Sequence, residues 1–193
     1  MVSKRLKFGR IGRIYWPKAL QGQIYKYATH GCPCGYYNHP EKECVCGAGV
    51  VKKYLNKISG PLLDRIDLHV EVTPVSIDEL SKYEIESETS ATIRERVTKA
   101  RQCQELRFKN MPGVHSNTMM PGNMVREICH IKPEGAALLK TAMKKLQLSA
   151  RAYDRILKVA RTVADLSESK EIEIPHLAEA INFRSLDREE WAG

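Results

Sequence analysis

Residues 148–166 read Leu-Ser-Ala-Arg-Ala-Tyr-Asp-Arg-Ile-Leu-Lys-Val-Ala-Arg-Thr-Val-Ala-Asp-Leu. Their apolar side chains recur at Ile156, Val159, Ala160, Val163 and Ala164, three and four residues apart, which gathers them on one stripe of an α-helix. Ser149 stands just ahead of the run, where a hydroxyl takes one of the unpaired N–H groups of the first turn. The spacing predicts a helix over 150–167 that buries one face in a core.

Upstream, the same period recurs in shorter pieces. A helix capped by Ser90 or Thr89 is expected through about Lys109, with Ile93, Val97, Ala100 and Leu106 as its apolar positions. Prolines, glycines and asparagines make 110–122 a loop. Helices are expected at about 122–129, at 133–146 opening on Pro133 and Glu134, and from Pro175 to Phe183 with Leu177, Ala178 and Ile181 inward. Residues 88–186 therefore read as an all-α domain. Before it, Ile66 to Val75 alternate apolar and polar side chains and predict a half-buried strand ended by Pro74. A short helix is expected from Val50 to Lys57, followed by a Ser-Gly-Pro break at 59–61.

The chain of 193 residues is long enough to bury a core, and its 42% hydrophobic and 28% charged residues suit a compact domain or two small ones. Mean hydropathy is −0.40, and no uncharged apolar run approaches the ~20 residues of a bilayer-spanning helix. No secretory leader pattern is present, so the expected compartment is cytoplasmic. The net charge of +8 is concentrated at one end. Lys4, Arg5, Lys7, Arg10, Arg13, Lys18 and Lys26 face no acid within residues 1–31, leaving 24 basic against 23 acidic groups for the rest. The first 31 residues read as an irregular basic leader, able to touch phosphate without sequence preference.

Cys32, Cys34, Cys44 and Cys46 supply four thiols within fifteen residues, the ligand count of a closed tetrahedral zinc site. The C-x-C spacing is tighter than the usual two-to-four-residue gap, so reduced, unligated thiols stand beside zinc as an alternative, with disulfides a third. His39 is the candidate substitute ligand. Cys103 and Cys129 read as small core residues. His69 and His176 read as surface or capping residues, and His115 and His130 are assigned nothing. Glu84, Glu86 and Glu88 read as a solvated acidic face.

Two arginines admit a sharper reading. Arg65 lies between an apolar dipeptide and the expected strand, either as an ion pair with Asp64 or Asp67 or as a guanidinium offered to a phosphate. Arg151 takes the second position of the 150–167 helix, where the positive dipole end disfavours a cation unless an anion sits opposite. The alternative is an exposed side chain whose long stem escapes the dipole.

The run SGPLLDRIDLHVEV at 59–72 lies between CPCGYYNHPEKECVCG at 32–47 and LSARAYDRILKVARTVADL at 148–166. Together they resemble the C-terminal part of the magnesium-chelatase-like AAA+ ATPases of the ComM/YifB type, over about residues 32–188. The resemblance implies a mainly α chain. A helical AAA+ lid at 88–186 would follow a small remnant of the α/β AAA+ core and a cysteine knuckle at 32–75. It implies that Arg65 is a trans-acting arginine finger and that Arg151 is the sensor-2 residue reaching ATP phosphate in cis. It further implies ATP and Mg2+ as cofactors, a homo-oligomeric hexameric ring, and DNA remodelling or branch migration in recombination and competence, with porphyrin chelation the less expected inheritance.

The departures are equally specific. No G-x-x-x-x-G-K-[ST] run, no apolar strand ending in Asp-Glu and no Asn-Pro before the CPCG motif occur, and His30-Gly31 stands where the Asn-Pro would be. The resemblance therefore stops at Cys32, and residues 1–31 are expected to be a frame-disrupted or wrongly assigned start. Without a phosphate cradle or metal carboxylates the chain is expected not to hydrolyse ATP alone. The rival expectation is a zinc-organised binding module, or a truncated product without function.

Overall fold

The computed structural model describes residues 32–37, 39, 41–56, 66–70 and 88–184. The chain divides near Lys57 into two units. In the first, the cysteine-rich turns at 32–46 lead through Gly47 into α1 (Ala48–Leu55). Val51 and Leu55, four apart, are its buried residues, and Lys52 and Lys53 complement the dipole in its last turn.

The second unit is helical: α2 (Ser90–Phe108), a 3-10 turn at Asn117–Met119, α3 (Gly122–Ile128), α4 (Pro133–Lys145), α5 (Ala150–Leu166) and α6 (Ile174–Asn182). The described residues are thus mainly α, as expected of a helical lid. Helix α5 is central, packing against α2, the 3-10 turn, α3 and α6, while α4 packs on α6. Ile156, Ala160 and Ala164 of the expected stripe are fully covered, Val159 and Val163 border them, and Phe108, Met120, Val125, Leu139, Ile172 and Leu177 close around them. A parallel bridge, Ile131 with Ile172, ties together the segments that enter α4 and α6.

The helix ends follow local rules. Thr89 and Ser149 cap α2 and α5 through hydroxyls that accept from Thr92 and Ala152. Glu173 and His176 form a reciprocal capping box on α6, with His176 Nδ1 accepting from the Glu173 N–H. Gln147 and Glu168 adopt positive φ of 49° and 56° just past α4 and α5. There the Leu148 and Ser169 N–H groups return to the Met143 and Ala164 carbonyls, the Schellman closure. The turn at Gln147 leaves one residue before Ser149, so the end of α4 fixes where α5 starts.

Several expectations need correction. Of the stripe expected on α2, only Ala100 is buried: Ile93 and Val97 are 41% and 42% exposed and Leu106 is 74% exposed. Only the C-terminal half of α2 is covered, and it turns Ala100, Gln104 and Phe108 inward, which puts Leu106 on the opposite face. Residues 66–70 take no regular strand among the described residues, where the His69 N–H donates to the Phe183 carbonyl at 2.8 Å. The rest of the expected strand, 71–75, lies outside the described residues. His69 is buried, not on the surface, and Cys103 is exposed while Cys129 is buried.

Asp165 is the charged centre of the second unit. Its side chain is fully covered, and its carboxylate accepts two bonds from Arg107, at 2.8 and 2.5 Å, one from Arg161 Nε at 3.1 Å and one from Asn117 at 2.8 Å. Arg161 in turn donates to the Lys170 and Ser169 carbonyls, and the Asn117 N–H donates to Gln104. Burial by itself would raise the Asp165 pKa, but the Arg107 and Asn117 hydrogen bonds and the two cationic charges together hold it below the usual carboxylate value.

Asp165→Ala strands the buried Arg161 and should cost about 3–5 kcal/mol in urea unfolding of the purified chain. The depressed native pKa means that this stabilisation is complete above the unfolded-state value, about 3.9, and is lost as pH falls through the native value. Asp165→Asn should flatten that acid limb of the stability profile.

Candidate functional site

The four cysteines of the first unit converge. Gly35 adopts a φ of 84° and its N–H donates to the Cys32 carbonyl at 3.2 Å, closing a turn that brings Cys32 Sγ within 3.2 Å of Cys34 Sγ. Cys44 Sγ lies 3.6 Å from each of them, and all four sulfurs, Cys46 included, lie within 4.8 Å of one another. A tetrahedral zinc with ~2.3 Å bonds would set sulfur–sulfur edges near 3.8 Å, so the thiols already occupy roughly the corners such an ion needs. The tight C-x-C spacing is no obstacle here, since the Gly35 turn brings Cys32 and Cys34 together and all four sulfurs converge.

The donor set is four soft sulfurs with no open position, which suits a structural centre, not a catalytic one. Cys32 is buried and the other three are half-buried. A hydrogen bond from the Tyr36 backbone, aided by the Cys32 thiol, pulls the Cys34 pKa down to about 6, so one thiolate is present at neutral pH. The Cys46 backbone would lower Cys44 likewise, but desolvation and the neighbouring sulfurs outweigh it and push Cys44 up to about 12. A bound dication must therefore displace protons. His39, the expected substitute ligand, is not in the cluster: its Nδ1 accepts from the Glu41 and Lys42 N–H groups at 3.1 Å, and its ring meets Tyr36 edge-on.

In the second unit Arg151 occupies the second residue of α5 and is exposed, one residue before the Ala152 N–H that donates to Ser149 Oγ at 3.2 Å. Arg65 lies outside the described residues. Its neighbours do not: the Ile66 carbonyl accepts from Arg184, and Asp67 pairs with Arg155 of α5. Asp67, considered from the sequence as a partner for Arg65, thus has a partner on α5. That pair and the Asp165 cluster were not anticipated, although Arg161 and Asp165 stand four apart beside the apolar stripe, a placement that signals a charge carried into a core.

Residues 87–184 match the family described as magnesium chelatase, subunit ChlI C-terminal, and residues 21–80 match magnesium chelatase, subunit ChlI. The chain belongs to the magnesium chelatase ChlI C-terminal family. Among curated relatives, this ChlI-type chain is 41% identical over 161 residues to the competence protein ComM of Haemophilus influenzae, and 37% identical over 161 residues to the uncharacterised protein YifB of Escherichia coli. An uncharacterised protein of Mycobacterium tuberculosis is 34% identical over 159 residues. These alignments cover 83%, 83% and 81% of the chain but only 30% of each relative. The ChlI match begins at residue 21, ahead of the boundary expected at Cys32. No helix among the described residues is long and apolar enough to cross a membrane.

Titrating the reduced ChlI-type chain with Co2+ should give one equivalent of a tetrahedral thiolate complex, read from its charge-transfer absorption, with affinity rising as pH increases because ligand protons leave. Cys44→Ser should weaken binding at least ~10-fold. Absorption characteristic of octahedral oxygen ligation would exclude the four-sulfur centre.

Proposed function

We propose that this chain acts as the lid and arginine-bearing part of an ATP-hydrolysing ring of the ComM/YifB type that remodels DNA in the cytoplasm. The observation that carries this reading is the exposed Arg151 at the head of the 17-residue α5, beside a serine cap and at the positive end of the helix dipole. A cation in that place is favoured when a phosphate lies opposite, and the resemblance supplies one: Arg151 as the sensor-2 residue on ATP phosphate, Arg65 as the finger for a neighbouring subunit. The name of the Haemophilus relative, a competence protein, supports DNA as the material on which the ring works.

Magnesium and ATP would supply the phosphoryl group and neutralise its charge. The cradle and magnesium carboxylates are not among these 193 residues, so in this reading other polypeptide provides them and the chain alone does not turn over ATP. Arg151 binds and orients the phosphates, and Arg65 places a second guanidinium where transition-state charge develops, a role worth about 10³–10⁵ in rate. The subunits form a homo-oligomeric, hexameric ring. Zn2+ at Cys32, Cys34, Cys44 and Cys46 serves as a staple for a unit whose described residues hold few buried apolar side chains.

That thiol cluster favours a second reading: a zinc-organised interaction module without ATPase chemistry. The two separate in one experiment. The chain mixed with full-length Haemophilus ComM should change that protein's ATPase rate, and Arg65→Ala should remove most of the change. An equal effect from wild type and Arg65→Ala, with stoichiometric zinc in both, would favour the interaction module.

A further inference from the structure

The N-terminal half of α2 carries an uncovered apolar stripe. Ile93 and Val97, four residues apart and both exposed, continue the line of Ala100, Gln104 and Phe108, the buried residues of this helix. Lys99 reaches Glu168, just past the end of α5, at 3.1 Å, and residues 90–98 ahead of it are all exposed. The stripe therefore outruns the helix it packs on. Arg94 and Arg101 flank it, exposed and with no acidic partner among the described residues, while Arg96 is held by Glu88 at 2.6 Å. A complementary feature lies on other helices. Where the segments bridged by Ile131 and Ile172 enter α4 and α6, a groove of about 250 Å³ opens. Ile131, Ile172, Ile174 and Pro175 make its lining apolar, and Glu134 and Glu173 stand among them, exposed. Lys132, also at the groove, is paired with Glu171 at 2.9 Å, so the other two carboxylates leave the rim negative. The volume falls below the roughly 300–1,000 Å³ of a small-molecule site and suits inserted side chains.

We infer that the occupant of the groove is a second copy of this chain: Ile93 and Val97 of one copy enter between α4 and α6 of the next, with Arg94 and Arg101 against Glu134 and Glu173. Each surface is apolar at its centre and charged at its edge, the pattern of a protein interface. The edges carry opposite signs, which favours this pairing and opposes stripe on stripe or groove on groove. The two surfaces also belong to different helices, since α2 packs on α5 while α4 packs on α6. One copy can therefore give its α2 and receive another's at the same time. Such a contact is heterologous, and its repetition closes into a ring when the rotation between copies allows and runs on as a filament when it does not. The contact is read from the two surfaces alone; its place in a ring rests on the ring reading given above.

The test is sedimentation of the full 193-residue chain under reducing conditions, over about 10–500 µM because the contact is at the low end of specific interfaces. Wild type should show an average mass that rises with concentration past that of a dimer, and high salt should shrink the rise. Val97→Asp on the stripe and Ile174→Asp in the groove should each weaken association at least about 10-fold. Neither should move the urea midpoint much, since both side chains are exposed and an acid at the head of α6 suits the helix dipole. Mixed in equal amounts, the two variants should form a pair and nothing larger, because each keeps the surface that the other has lost. A mixture that stays monomeric overturns the head-to-tail contact, and so does undiminished association of either variant alone. Wild type that stays monomeric at the highest concentration overturns it as well, and a urea midpoint lowered by Val97→Asp would then assign the stripe to a segment of the same chain. None of these failures touches the ATP reading, which the Arg65→Ala mixing experiment decides.

Discussion

A single buried carboxylate holds the helical unit together. Asp165 receives Arg107 from α2, Asn117 from the 3-10 turn and Arg161 from its own helix, and Arg161 continues to the carbonyls of Ser169 and Lys170. Bringing two guanidinium groups and one carboxylate out of water is costly, and the cost is offset only when nearly every donor and lone pair is satisfied. Here they converge on Asp165 at 2.5–3.1 Å from α2, the 3-10 turn and α5 itself. The apolar stripe of α5 supplies most of the burial, but it would tolerate sliding or rotation of its neighbours. The Asp165 cluster permits one register of α2 and the 3-10 turn against α5.

This fixed register gives the proposed function its geometry. The stiff α5 carries Asp165 in its last turn and Arg151 in its first, with Arg155 facing Asp67 between them. The Schellman turn at Gln147 delivers the chain to the Ser149 cap without slack, so the helix head is defined from both sides. The segment at 66–69 is joined to the same helix through the Asp67–Arg155 pair. The cysteine unit solves a different problem. Among its described residues only Cys32, Val51 and Leu55 are buried, too few apolar groups for a core, and a four-sulfur cluster is the usual substitute at that size.

Much of the fold was legible from periodicity. The helices at 122–128, 133–145, 150–166 and 174–182 lie close to where the apolar spacing, Pro133, Pro175 and the Ser149 cap placed them. On α2 the expected Ala100 is buried, but Ile93 and Val97, one and two turns before it on the same face, are uncovered, and Leu106 lies on the opposite face; all three look like core residues to any local rule. Of the strand expected over 66–75, the described residues 66–70 take no regular strand: alternation of side chains signals an extended backbone, whereas a ladder also needs a neighbouring strand. The thiol cluster was legible as a ligand count, and His39 was misjudged because a ring nitrogen near cysteines can equally well cap a turn.

The sequence by itself determined the elements whose causes are local: caps, proline starts, the stripe of α5 and the number of thiols. Each follows from residues within a few positions of one another. Only the tertiary structure decided which charges meet. Asp165 with Arg107, Asp67 with Arg155 and Arg184 with the Ile66 carbonyl join residues 58, 88 and 118 positions apart. Electrostatic pairing depends on distance in space and on the loss of water, and neither is written in any local spacing.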